Sequence, residues 1–406
     1  MKSRPLPLAV GLNAGRWRTR SVVCLLEDDG LRLLGAGETA SAGWTRGRLT
    51  DAASLSESIK TAVREAARQA GVDVRSAVVG VGGSEVYGAD SRGLYEFGRR
   101  RTIEEGDLTF AIERGAEVHM GSDRMVLQVL PQDFTLDGRA GHRNPRGLAC
   151  SRLEANVHVV TAPLQEHDGL IAAVHQAGLA VEETVFEPMA AAYAAILPED
   201  RNRGVALVDI GYSYTGIAIY DGEAMVLAST LPISADHMTR DLAWGLRVKH
   251  GLSVAWDDAE ALKCECGCAI TGLTSDNSLV EVPSRDGRAA QEVPCKDINE
   301  ILQARAEELF TWVGQEIRRA GMEQAVMEGI FLTGGGSRLN GMCDMAEFIL
   351  NCQTRYGLPV GIEDWPAEMN DAAWTTAAGL SMYSSRLKLR KEFRRHAPGL
   401  LGLVFR

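Results

Sequence analysis

The spacing of apolar residues changes several times along the chain, and each change marks an element. Leu8 to Leu12 and Ser21 to Leu26 are short apolar runs around a glycine-containing turn, and together they predict a hairpin. Ile59, Ala62, Val63, Ala66, Ala67 and Ala70 recur at helical spacing, and Gly71 follows as a stop. Ala77 to Val81 predicts a buried strand closed by Gly82-Gly83. Thr102 with Glu105 three positions on reads as a capping box, which predicts a helix over 104–118. Met125 to Phe134 alternates as a strand would, with an interruption at Pro131, and Val157 to Thr161 predicts another strand. From Gln165 the pattern reads helix to Ala177, strand Val181 to Phe186, helix Pro188 to Ile196, then strands Val205 to Ile210 and Ile217 to Tyr220. Residues 237–325 are mostly helical around a polar loop at 274–286, and Leu302, Ala306, Leu309, Val313, Ile317 and Ala320 form one helix face. Ile330 to Thr333 is a strand running into Gly334-Gly335-Gly336, and a last helix begins near Ala372.

The order is strand, hairpin, helix and strand, then an insertion, then the same material again. This predicts an α/β fold of two duplicated halves around a cleft. The first half takes 1–82, 165–203 and 377–390, and the second takes 204–236 and 326–376. An inserted unit occupies 83–164, a helical unit 237–325, and a basic and apolar segment 386–406.

Composition narrows the class. The 406 residues are 45% hydrophobic and 24% charged, as in ordinary globular proteins. A net charge of −11 argues against a nucleic-acid binder, which carries a basic face. The eight cysteines are irregularly spaced and no secretory leader is evident, so reduced thiols and a cytoplasmic setting are expected. No run approaches the roughly 18 apolar residues of a span, which leaves only peripheral membrane contact. Cys264, Cys266 and Cys268 are spaced C-x-C-x-C, unlike the paired spacing of zinc modules, so free thiols are the reading here.

The chemistry sits on three glycine turns that follow apolar strands: Leu12-Asn13-Ala14-Gly15, Val208-Asp209-Ile210-Gly211 and Leu332-Thr333-Gly334-Gly335-Gly336. Such turns let backbone N–H groups approach phosphates. Asp209 is placed to hold the waters around Mg²⁺. The three turns in this order resemble those of the actin-fold superfamily of actins, sugar kinases, heat-shock chaperones and FtsA. Glu187-Pro188-Met189-Ala190-Ala191-Ala192 matches the E-P-x-A-A-A segment of the chaperones and FtsA. Within the insertion, Leu127 to Gly138 resembles the FtsA segment H-V-L-P-Q-E-F-x-V-D-G. Asp236 to Ala243 resembles G-D-H-x-T-N-D-I-A, and Ala259 to Lys263 resembles A-E-x-L-K.

The resemblance to FtsA implies an actin-like fold around a nucleotide cleft, with an FtsA-type inserted subdomain. It implies ATP and Mg²⁺ held by Asn13, Gly15, Arg16, Asp209, Gly211, Ser213, Glu260, Lys263, Gly334, Gly335 and Gly336. In the chaperones the residue matching Glu187 positions the attacking water. Read without the family, Glu187 is a helix-start acid stabilised by the dipole, and Glu260 with Lys263 is an exposed helical pair.

Two turns depart from the family pattern. Asn13-Ala14-Gly15-Arg16 stands for D/E-I-G-T/S, so an acid is lost and Arg16 replaces a small hydroxyl residue. Tyr212 and Tyr214 enter the second turn, where glycines allow close backbone approach. Either Arg16 contacts a phosphate directly, or the cleft no longer holds a triphosphate. The intact third turn favours retained ATP binding with weak or absent hydrolysis.

The last segment is basic in an acidic chain, with Lys388, Arg390, Lys391, Arg394 and Arg395 ahead of Leu400, Leu401, Leu403, Val404 and Phe405. FtsA proteins end in an amphipathic membrane-binding helix, and this segment stands in that position, although Gly399 and Gly402 weaken a helix. About 1 kcal/mol per basic residue near an anionic leaflet, plus apolar insertion, gives marginal binding that polymerisation would reinforce. The resemblance implies further partners: the C-terminal peptide of the tubulin-like FtsZ on 237–325, other division proteins on the insertion, and self-association into protofilaments. It places the chain at the division site, on the cytoplasmic face of the membrane. A PilM-type pilus adaptor, a sugar-kinase-like phosphotransferase and a chaperone are the alternatives. Damaged phosphate turns argue against the kinase, and the short remainder after the fold argues against the chaperone.

Overall fold

A computed structural model describes residues 7–27, 30–273, 275, 278–286, 289–326 and 328–396, with side chains to 389. The chain opens with β1 (Leu8–Ala14), β2 (Arg18–Leu26) and β3 (Leu31–Ala40), continues through the short pair β4 (Trp44–Thr45) and β5 (Arg48–Leu49), and reaches α1 (Ala52–Ala70) and β6 (Ser76–Val81). Asp51 accepts hydrogen bonds from the Ala53 and Ser54 amides at the start of α1, and Gly71 closes it at φ 64°.

Next come β7 (Tyr87–Thr102), α2 (Glu105–Ala116), β8 (Arg124–Leu136), β9 (Arg139–His142) and β10 (Ala149–Pro163), a four-stranded sheet ordered β7-β10-β8-β9. Two expectations change here. The cap of α2 lies two residues later than expected, because the Asp107 carboxylate accepts from the Glu104 amide at 2.8 Å and is forked by Arg101. Pro131 does not interrupt β8, since the register against β10 shifts between Asn156 and Val157 and a bulge absorbs the missing N–H.

The chain returns through α3 (Leu164–Gln176), β11 (Ala180–Phe186), α4 (Glu187–Ala195) and α5 (Pro198–Asn202). It continues with β12 (Val205–Ile210), β13 (Thr215–Asp221) and β14 (Ala224–Leu231), then α6 (Ala235–His250) and α7 (Trp256–Cys266). A hairpin of β15 (Leu279–Val282) and β16 (Gln291–Pro294) forms where only a polar loop was expected. Then follow α8 (Cys295–Arg319), β17 (Ile330–Thr333), α9 (Met342–Leu350), β18 (Thr354–Tyr356), β19 (Ile362–Glu363) and α10 (Thr375–His396).

Two sheets carry the halves, ordered β11-β6-β1-β2-β3-β19 and β14-β13-β12-β17-β18. In each, an antiparallel hairpin (β1–β2, β12–β13) pairs through its first strand with a parallel neighbour (β6, β17). This repeated arrangement sets the two hairpin turns facing each other across the molecule. Between the sheets, α4 crosses α10 so closely that a Cβ on Gly379 would run into the Ala190 carbonyl, and β1 packs on α10 so closely that one on Gly11 would run into the Ala377 carbonyl. Gly379→Ala is therefore expected to lower stability by about 1–3 kcal/mol despite the better helix propensity of alanine. Urea unfolding measures this, and an unchanged midpoint would contradict the crossing.

Candidate functional site

The site is built from the facing turns and the elements beside them. The tight β1–β2 turn forces residue 16 towards the second half, and Arg16 is buried there. Its Nε donates to the Gly47 carbonyl at 3.0 Å and its Nη2 to the Gly82 carbonyl at 2.8 Å. The guanidinium also lies 4.6 Å from the centre of the Trp44 ring and 4.9 Å from that of Tyr214. A buried cation has to be paired with dipoles or rings to offset its lost hydration, and Arg16 has both. Arg16 is thus committed to the protein's own carbonyls, not left free for a phosphate.

The Tyr214 ring fills the second turn. Its hydroxyl donates to Glu187 Oε2, and a Cβ on Gly82 would collide with that hydroxyl. Burial and the neighbouring Glu187 carboxylate hold the Tyr214 phenol well above its ordinary range, so it stays a donor. Glu187, the expected water-positioning residue, is thereby engaged by a protein hydroxyl. The Gly211 amide donates to the Tyr214 carbonyl at 3.0 Å, so it is spent within its own turn. Asn13 and Gly15 complete the first turn, where a Cβ on Gly15 would sit 3.0 Å from Asn13 Oδ1. Ser213 packs under the β4–β5 turn, 3.2 Å from where a Cβ on Gly47 would lie.

A second layer is aromatic. Trp17 stacks on Tyr212 with ring centres 5.4 Å apart at 18°, and lies 5.4 Å from Trp256 at the start of α7. Trp256 Nε1 donates to Asp236 Oδ1 at 2.9 Å. Burial, with Asp236 beside it, raises the Tyr212 phenol to about 12. Neither Trp17 nor Trp256 was singled out in the sequence. A tryptophan directly after the first turn was the available signal, but its partners lie about 195 and 240 positions away.

The nucleoside side looks different. Lys263 is buried and its Nζ contacts Glu260 at 2.6 Å, Thr239 Oγ1 at 2.8 Å and the Ala235 carbonyl at 3.3 Å. Thr239 also donates to Glu260. The pair is therefore an inward polar network, not the exposed helical pair of the family-free reading. Gly334 adopts φ 82° and donates to the Ala372 carbonyl, Gly336 packs against Ile210 and Ala235, and Gly335 faces open space. Asp209 is buried, accepts from Thr376 Oγ1 at 3.1 Å, and is raised to about 7 by burial and by Glu187.

ATP and Mg²⁺ fit these residues unevenly. At the third turn Gly335 faces open space, while Glu260 and Lys263 are taken up by each other and by Thr239. The phosphate side does not fit, because Arg16, Tyr214 and Trp44 occupy it. A separate cavity of about 20 Å³ lies on the other side of Arg16 and Trp44, facing Pro163, Glu166 and Leu170, with room for one water.

The basic segment is only partly described. Lys388, expected at a membrane, turns inward instead, onto the Leu8 carbonyl, Ser384 Oγ at 3.2 Å and Glu182 at 3.0 Å. The side chains of Arg390, Lys391, Arg394 and Arg395, and all of Leu400, Leu401, Leu403, Val404 and Phe405, lie outside the described residues. Among the described residues, no helix is long and apolar enough to cross a membrane.

Comparison with known proteins gives the family. The profile of the cell division protein FtsA matches residues 206–379, and that of the SHS2 domain inserted in FtsA matches 83–161. The cell division protein FtsA of Pseudomonas aeruginosa is 32% identical over 377 residues, which is 93% of this chain and 89% of that one. Among solved structures, a PilM–PilN type IV pilus biogenesis complex superposes with a TM-score of 0.65 at 18% identity, covering 93% of this chain and 98% of that one. MreB5 of Spiroplasma citri bound to AMPPNP superposes at 0.59 and 12% identity, covering 97% and 99%. At these identities the pilus protein and MreB5 attest the actin-like fold alone, whereas the Pseudomonas relative carries the family. The chain belongs to the FtsA family of cell-division proteins.

Proposed function

We propose that this protein tethers FtsZ filaments to the cytoplasmic face of the cell membrane at the division site. The observation that carries this reading is the match along most of a division protein's length, inserted unit included. The basic and apolar residues of 386–406 are the membrane contact, with Lys388 withdrawn from it by Glu182. Arg390, Lys391, Arg394 and Arg395 supply attraction to anionic lipid, and Leu400, Leu401, Leu403, Val404 and Phe405 supply the insertion. Single copies bind weakly, so self-association into protofilaments multiplies the contacts. The inserted unit at 83–164 receives other division proteins.

The FtsZ C-terminal peptide docks on the helical unit. A groove of about 310 Å³ there is lined by Arg240, Trp244, Arg247 and Trp256. Trp244 is 69% exposed and Val248 65%. Exposed tryptophan beside arginine suits a peptide with apolar and acidic side chains.

Two experiments test the reading. The full chain is expected to co-sediment with vesicles containing anionic lipid and to be released by salt. A chain ending at His396 keeps α10 and loses most of that binding; equal sedimentation of the two would rule out the tether. Fluorescence polarisation with an FtsZ tail peptide is expected to show saturable binding, weakened roughly tenfold by Trp244→Ala. An unaltered affinity would place the peptide elsewhere.

A further inference from the structure

We infer that the cleft is filled by the protein's own side chains, and that these hold the two halves together in the place of a nucleotide. The inference concerns the cleft and stands or falls independently of the membrane tether. It begins with what a triphosphate needs: free backbone N–H groups, room, and an accompanying cation. The chain itself already takes the room, the positive charge and one of the amides. The Gly211 amide is spent on the Tyr214 carbonyl, and the room is taken by the Tyr214 ring and the Arg16 guanidinium. The positive charge that would balance phosphate is Arg16 itself, fixed on the Gly47 and Gly82 carbonyls.

The contacts also cross the cleft in the way a nucleotide would. From the first half come Arg16, Trp17, Trp44 and Glu187; from the second come Tyr212 and Tyr214, and Trp256 joins from the helical unit. Arg16 lies over the Tyr214 ring, Tyr214 donates to Glu187, and Trp17 stacks on Tyr212 and meets Trp256. The β4–β5 pair closes over them as a small lid. Its Trp44 covers the Arg16 guanidinium, and Gly47 accepts from Arg16 while resting on Ser213. Of the residues that depart from the family's glycine turns, Arg16 and Tyr214 contact each other, and Tyr212 stacks on Trp17, the residue next to Arg16. Scattered loss of an unused site would not produce a set of mutually satisfied contacts. The intact third turn then serves packing, with Gly334 and Gly336 lying against Asp209 and Ile210 where a Cβ would not fit.

The test uses the full-length chain in isothermal titration with MgATP, and trypsin cleavage at Arg46 and Arg48 of the lid as a second readout. The wild-type chain is expected to show no saturable MgATP binding below about 1 mM, and the same cleavage rate with and without MgATP. Arg16→Ser removes the lid's anchor, and cleavage at Arg46 and Arg48 is expected to quicken about tenfold. Circular dichroism checks that this variant folds. If it does not, Trp44→Ala carries the test, since Trp44 belongs to the lid, is half-buried and covers the Arg16 guanidinium; about fivefold faster cleavage is then expected. Saturable wild-type binding of MgATP, or folded variants cleaved at the wild-type rate, would overturn the inference.

Discussion

A buried guanidinium is the constraint around which the cleft is organised. Arg16 is buried at the first turn, and a cation there has to be compensated. Two carbonyls and two aromatic faces do so. Each ring contact is worth about 0.5–2 kcal/mol, more as water is excluded. Those requirements reach outward. The Gly47 carbonyl draws the β4–β5 pair over the cleft, the Tyr214 ring fills the second turn, and its hydroxyl takes up the Glu187 carboxylate that the same burial would leave unpaired.

That arrangement depends on a scaffold which brings the turns face to face. The repeated hairpin-plus-parallel-strand unit sets each turn at the end of central strands of its sheet, and the crossing of α4 with α10 fixes their separation. Gly379 permits that crossing, and Gly11 the seating of β1 on α10, because no side chain lies between backbone and backbone. The Thr376–Asp209 hydrogen bond joins α10 to the second turn, so the scaffold and the cleft share a residue pair. The helical unit joins the same network through Trp256 and Asp236.

Much of this was legible in the sequence where the determinant is local. The helix α1 shows its periodicity and its glycine stop, and β6, β12 and β17 are apolar runs ending in glycine. Elements whose determinants are non-local were not legible. The sixteen residues of β7 are largely exposed and carry three successive arginines before Thr102, so no apolar alternation marks them. The hairpin β15–β16 lies in a polar stretch, and β4 and β5 are two residues each. The site shows the same division. The glycine turns, Glu187, Glu260 and Lys263 announce themselves as motifs. That Lys263 is buried depends on Thr239 and Ala235 of another helix, and that Arg16 is not a phosphate ligand depends on Gly47 and Gly82, both distant in the chain.

The most direct measurement is amide hydrogen exchange, with and without MgATP, over the first turn (13–17), the lid (44–49) and the second turn (209–216). A cleft filled by Arg16, Tyr214 and the Trp17 stack predicts slow exchange in all three segments without any ligand, unchanged when MgATP is added. Fast exchange that becomes slow only with MgATP would contradict it, and would return the cleft to a nucleotide.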